Sequence, residues 1–122
     1  MSVNKVILIG NVGKDPDVRT LQDGTKVANF SLAVSERYRA RNGEYKDSTE
    51  WINIACWSGA AELAEKYVRK GTQLYVEGKI RTRSFEDRDG ITRYKTEIVA
   101  DTLQFLGPRK TDNDSHVEDM DV

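Results

Sequence analysis

Only one stretch of this 122-residue chain carries the period of a helix, residues 58–71. The other apolar stretches are short runs or alternate with the two-residue period of a strand. Within 58–71, Leu63, Ala64, Tyr67 and Val68 form one apolar stripe, so Tyr67 is expected in the core. Ser58 is placed to cap the start and Gly71 to stop the end, with Glu62–Lys66 and Glu65–Arg69 as i, i+4 pairs on the wet side. A lone helix among strands restricts the fold to an all-β class, in which the helix acts as a structural plug.

Five strands surround it. Asn4-Lys5-Val6-Ile7-Leu8-Ile9-Gly10 is an apolar run expected to be buried on both faces, by the barrel and by another subunit. Asp15-Pro16 and Asp23-Gly24 signal turns, and a second strand at 27–38 turns Ala28, Phe30, Leu32 and Val34 inward. A hairpin with Asn42-Gly43 at its tip leads into a third strand, 50–57. Here Ile52, Ile54 and Cys56 share the core face, and Trp51, Asn53, Ala55 and Trp57 share the other. In the fourth strand, 73–85, Leu74, Val76, Gly78 and Ile80 point in, while Tyr75, Glu77, Lys79, Arg81, Arg83 and Phe85 point out. After an Asp87-Arg88-Asp89-Gly90 turn, the last strand, 92–106, buries Ile98, Ala100, Leu103 and Phe105. Five strands with one α-helix between strands 3 and 4 is the order of the OB-fold, a small five-stranded barrel.

Composition narrows the rest. With 38% hydrophobic residues the chain suffices for one globular core, expected at 1–107, followed by a short disordered acidic tail at 108–122. The net charge of -1 hides an uneven distribution: the last twelve residues carry five acids and no base, leaving 19 basic against 15 acidic residues, a net +4, in the first 110. A basic body suits a polyanionic partner, although a solvated surface can carry the same charge. No run approaches the roughly 18 apolar residues of a membrane span, and the start has no secretory segment, so a cytoplasmic location is expected. One cysteine and one histidine leave no zinc site, and no cofactor or metal is expected. Gly10-Asn11-Val12-Gly13-Lys14 lacks the glycine spacing and the hydroxyl residue of a phosphate-binding loop.

The outward strand faces carry the chemistry. Trp51 and Trp57 put two large rings where a barrel does not bury them, and flat rings there can stack on unpaired bases. Lys79, Arg81 and Arg83 are successive outward cations that repel one another along the strand, an arrangement an anionic partner relieves. Residues 36–46 mix four basic residues, Arg37 among them, with Tyr38 and Tyr45. This finger reads either as a phosphate-tracking, base-stacking surface or as a soluble loop.

Asn4 through Asn11, Asp15-Pro16, Val27-Ala28-Asn29-Phe30, Thr49-Glu50-Trp51, Tyr67 through Gly71, Val76-Glu77-Gly78, Arg81-Thr82-Arg83 and Tyr94 through Glu97 together resemble the bacterial single-stranded DNA-binding protein (SSB) family, in unbroken order over 3–107. The resemblance implies a homotetramer of OB-folds that binds single-stranded DNA in replication, recombination and repair without catalysis. It places aromatic DNA contacts at Tyr38, Trp51, Trp57 and Phe85 and basic contacts at Lys70, Arg81 and Arg83; Arg37 and Lys79 are added from their placement. After Trp51 the family often has a polar or basic pair, where this chain has Ile52-Asn53. Family members usually end in acidic residues and a Pro-Phe pair that dock on replication and repair proteins. Here the corresponding residues are Glu118, Asp119, Met120, Asp121 and Val122, so weaker docking is expected. Two other readings remain open at this point: an OB-fold accessory module acting mainly through protein contacts, and a nucleic-acid hydrolase, against which the few outward carboxylates speak.

Overall fold

The computed structural model describes residues 1–106; the acidic tail, with Glu118, Asp119, Met120, Asp121 and Val122, lies outside the described residues. The elements run β1 (Val6–Val12), β2 (Asp17–Thr20), β3 (Lys26–Arg39), β4 (Tyr45–Trp57), α1 (Gly59–Tyr67), β5 (Gln73–Glu86) and β6 (Thr92–Phe105). Hydrogen-bonded neighbours follow the order β1-β5-β6-β4-β3, and pairing of Asn11 with Ala33 and Val12 with Leu32 returns β3 to β1. The sheet therefore closes on itself as the expected five-stranded barrel. The sixth strand, β2, is a four-residue addition on the outer edge of β3, in a region where the sequence signalled only turns.

Alternation along the strands supplies the core. Ala28, Phe30 and Leu32 of β3, Ile54 and Cys56 of β4, Leu74 and Val76 of β5, and Ile98, Ala100 and Leu103 of β6 pack into one cluster with Val12. Fully burying an aliphatic side chain of this size contributes about 1.5–3 kcal/mol, so this cluster dominates the stability. Cys56 is a core residue in its chemistry too, since desolvation pushes its thiol up to about 12 and keeps it neutral and unreactive.

The parity of β6 changes along its length. Glu77 pairs with Thr102 but Gly78 pairs with Ala100, leaving Asp101 as a bulge. Inward positions are even before it, at Ile98 and Ala100, and odd after it, at Leu103. Gly78 lies against the partner backbone at this point. A Cβ added there would sit 2.1 Å from the Val99 carbonyl oxygen, a separation no side chain can occupy. Gly10 makes a similar close approach, with 2.3 Å between such a Cβ and the Ala33 carbonyl oxygen. The glycine that had suggested a phosphate loop thus serves the crossing of β1 and β3.

The helix departs from expectation in several details. It packs Ala61 and Ala64 toward β3, β4 and β6 but ends at Tyr67, and Val68, in extended backbone, enters the core beyond it. Gly71 does not cap it; with φ +89° it makes the next turn and donates its N–H to the Val12 carbonyl. Tyr67 is 59% exposed, with its ring edge-on to Phe105 at 5.9 Å, because a helix of nine residues leaves it at the rim. Phe105, expected in the core, is itself 40% exposed. The anticipated i, i+4 ion pairs are replaced: Glu65 bonds Lys26 at 2.6 Å, and Arg69 donates to the carbonyls of Glu65 and Val68.

Ser58 makes no side-chain cap and holds φ 54°, ψ −119°, a region that suits glycine. We expect Ser58→Gly to stabilise the protein by about 1 kcal/mol, because the strain is relieved and no hydrogen bond is lost. Urea denaturation checks this, and an unchanged or lowered midpoint would contradict it.

The long strands outrun the barrel. Beyond Val34 in β3 and Gly78 in β5 every residue of those strands is exposed, so β3–β4 and β5–β6 continue as two-stranded ribbons. Ile80 keeps the inward parity but is 50% exposed, standing across from the buried Ile98 at the rim where β5 leaves the barrel. Ser35–Thr49 and Thr82–Thr96 hydroxyl pairs, each at 2.9 Å, bridge the ribbons. At the β5–β6 turn, Asp87 accepts from Arg93 Nε at 2.7 Å and from the backbone N–H groups of Ile91 and Asp89, which together hold its carboxyl below its ordinary range. What these bonds contribute to the turn is fully present above the ordinary Asp range and is lost as pH falls through the lowered value.

Candidate nucleic-acid interface

Pairing registers fix which side chains share the outer face. β3 and β4 pair Val27 with Trp57, Ala33 with Trp51, Arg37 with Asp47 and Arg39 with Tyr45. β5 and β6 pair Lys79 with Val99, Arg81 with Glu97, Arg83 with Lys95 and Phe85 with Arg93, while Ala55 pairs with Val99 across the parallel β4–β6 contact. Since side chains alternate, Trp51, Trp57, Lys79, Arg81, Arg83 and Phe85 all carry the outward parity. The two tryptophans are 61% and 39% exposed and Phe85 is 42% exposed, as the strand pattern indicated.

The closest grouping surrounds Trp57. An open cleft of about 460 Å³ is lined by Trp57, Ala60, Lys79, Arg81, Val99, Ala100 and Asp101. The Arg81 guanidinium lies 5.8 Å from the Trp57 ring centroid, which places a cation and a π-face at one position.

Glu97 organises the cations, and sequence reasoning missed it. It is 3% exposed, and its Oε2 accepts from Arg81 Nη2 at 3.1 Å and lies 3.4 Å from Arg83 Nε. A buried carboxylate needs paired donors to offset its desolvation, and two arginines supply them. Arg81 and Arg83 therefore do not simply repel one another, because a shared anion holds both and leaves about half of each side chain exposed. Local sequence could not have placed it, because the Asp87–Gly90 turn signal counted symmetrically sets residue 81 opposite 96, and only closure of the arms at Asp87 and Ile91 brings 97 opposite 81.

Trp51 rests on a glycine. A Cβ at Gly13 would fall 2.6 Å from the Trp51 ring, so the absence of a side chain there gives the ring its seat. Gly13 is fixed in turn by its N–H to the Ser31 carbonyl at 2.9 Å. Lys70 adjoins the same segment, its backbone N–H donating to Asp15 Oδ1 at 2.9 Å while Gly71 bonds Val12. We expect Gly13→Ala to displace the exposed Trp51 ring while costing under about 1 kcal/mol of stability. The tryptophan emission spectrum should shift and single-strand affinity should fall; an unchanged spectrum and affinity would contradict this.

The finger divides its residues between two faces. Arg37, Arg39, Tyr45 and Asp47 carry the parity of Trp51, whereas Tyr38 and its partner Lys46 carry the opposite one. Tyr38 is 48% exposed and Arg37 pairs with Asp47 at 3.7 Å. Among the sites expected from sequence, the structure thus brings together Trp57, Lys79, Arg81 and Arg83, sets Trp51 and Lys70 against the 12–15 segment, and leaves Phe85, Arg37 and Tyr38 out on the ribbons, Tyr38 with the opposite parity.

The chain is similar to known proteins. Residues 3–106 match the single-strand binding protein family. A single-stranded DNA-binding protein of Bacteroides thetaiotaomicron is 52% identical over 111 residues, covering 89% of this chain and 69% of that one. Among solved structures, a Plasmodium falciparum SSB complex with ssDNA superposes with a TM-score of 0.80 at 40% identity, covering 88% of this chain and 97% of the other.

Proposed function

This chain belongs to the single-strand binding protein family, and from that premise we propose that it binds single-stranded DNA largely without regard to sequence, using the outer face of β4, β5 and β6. The observation that carries the reading is the exposed pair Trp51 and Trp57 on one sheet face, with the Arg81 cation over the second ring. Bases stack on Trp51, Trp57, Phe85 and, from the ribbon, Tyr38; Arg37, Lys70, Lys79, Arg81 and Arg83 neutralise phosphates. Each stack contributes roughly 1–3 kcal/mol, and every base offers a π-face, so the surface holds strands of any sequence. Phosphate neutralisation releases counterions and makes binding fall as salt rises. Such binding protects single strands in replication, recombination and repair, and involves no catalytic step.

Exposed apolar surface supports a homotetramer. The outer residues of β1, Ile7 and Ile9, are 57% and 52% exposed in the single chain, so the second face expected to be buried is open here. Beside them on β5, Tyr75 bonds Glu77, which Lys5 also approaches at 3.5 Å. Apolar side chains on a flat strand face suit the same face of another copy. The OB-fold domain is assigned to 1–107, and the acidic residues within 108–122 to docking of replication and repair proteins. Among the described residues no helix is long and apolar enough to cross a membrane, and a cytoplasmic, nucleoid-associated location fits a DNA-binding role.

Competition tests the reading. Labelled oligo-dT bound to the protein should be displaced by unlabelled single strands of mixed sequence and not by a duplex of equal length. Equal displacement by the duplex would overturn it. Light scattering on the free protein should give four chains; a dimer would remove the tetramer.

A further inference from the structure

We propose that Tyr45 is a third base-stacking position on β4 and that Arg37 and Arg39 flank it as phosphate ligands, so that the DNA path continues from the barrel along the outer face of the β3–β4 ribbon. The inference rests on the binding role just given and adds to it a site on the finger that does not involve Tyr38. Trp57, Trp51 and Tyr45 are six residues apart in turn on one strand. An even interval keeps all three on one face, and six residues of strand span roughly 20 Å. The three rings therefore form a regularly spaced line rather than a pair with an unrelated neighbour.

Exposure and charge support the same role. Tyr45 is 61% exposed, the same as Trp51, so burial does not account for a ring at this position. Two guanidinium groups lie by its ring, Arg37 at 5.5 Å and Arg39 at 5.7 Å from the centroid. Arg39 stands directly across from Tyr45 in the ladder and Arg37 one same-face step away, next to Asp47. Among the described residues Arg39 has no carboxylate partner, which leaves its donors available to phosphate oxygens. A ring beside two cations repeats the chemistry of Trp57 beneath Arg81. Tyr38 carries the opposite parity, so the ring that follows Trp51 along the outer face of β4 is Tyr45, and a base on Tyr38 would stack from the ribbon's other face.

The test compares Tyr45→Ala and Tyr45→Phe in the full chain, using a short oligo-dT that covers only the Trp51–Trp57 segment and a longer one that also reaches the ribbon. Tyr45→Ala should weaken binding of the longer strand roughly five- to hundredfold, with the short strand unaffected. Tyr45→Phe keeps the π-face and should bind the longer strand within about twofold of the parent. Parent-like affinity of Tyr45→Ala for the longer strand, or equal losses in both variants, would overturn the proposal. Tryptophan quenching by oligo-dT in the parent chain separates the two levels: if it persists, only the Tyr45 site fails, and if it is absent the underlying binding role fails with it.

Discussion

Replacing Trp51 and Trp57 together with alanine should lower affinity for oligo-dT by at least about thirtyfold, taking ~1 kcal/mol per lost stack as the low end. The rings are 61% and 39% exposed, so their removal takes little from the core cluster and the variant should fold. Trp57 has a second task, because its face lies under Arg81. Losing it frees a cation that Glu97 still tethers at 3.1 Å, so part of the phosphate attraction survives and the salt dependence should change less than the affinity. The Trp51→Phe, Trp57→Phe double variant retains two smaller π-faces and should fall between. Anisotropy titrations at fixed salt measure all three; a double alanine variant within about threefold of the parent would show that stacking is not the main source of affinity.

Gly78→Val should cost at least ~3 kcal/mol, because overpacking against backbone has no cheap escape. The obstacle is the Val99 carbonyl, 2.1 Å from any Cβ, with its carbon at 2.9 Å. That carbonyl belongs to a residue paired both with Lys79 of β5 and with Ala55 of β4, so yielding would open the barrel on two sides. Since the first carbon already collides, Gly78→Ala should be nearly as damaging. Gly24 supplies the contrast. It needs φ +92° but has nothing within 4 Å of an added Cβ, so Gly24→Ala should cost only about 1 kcal/mol of backbone strain. Urea midpoints rank the two alanine variants, and equal midpoints would contradict the packing role of Gly78.

Much of this arrangement is legible in the residues, and what is not has identifiable causes. Alternation placed Trp51 and Trp57 outside and Ile54 and Cys56 inside because β4 is straight in register with β3 over thirteen pairs. The Asn42-Gly43 turn was readable from local chemistry: Gly43 takes φ +88° and Asn42 accepts the Glu44 N–H. Ile80 and Tyr67 were misplaced for one reason. Periodicity tells which side a residue faces but not how much of the protein covers that side, and both sit where an element has passed the rim of the barrel. The apolar residues of β6 show its change of parity, Ile98 and Ala100 against Leu103, but the cause, a bulge at Asp101 opposite Glu77 and Gly78, appears only in the pairing with β5. Glu97 was hidden by composition, since an acid in a strand reads as a solvated position until the register sets two arginines against it.

Titrating tryptophan fluorescence with oligo-dT and with a duplex of equal length over a series of salt concentrations shows whether single-stranded DNA is held by stacking on the outer face of β4 together with the cations beside it. Both tryptophans lie on the proposed path, so oligo-dT should quench strongly and bind more weakly as salt rises, while the duplex, whose base faces are hidden, should quench little. Equal quenching by both, or none by either, would show that bases do not stack on this face.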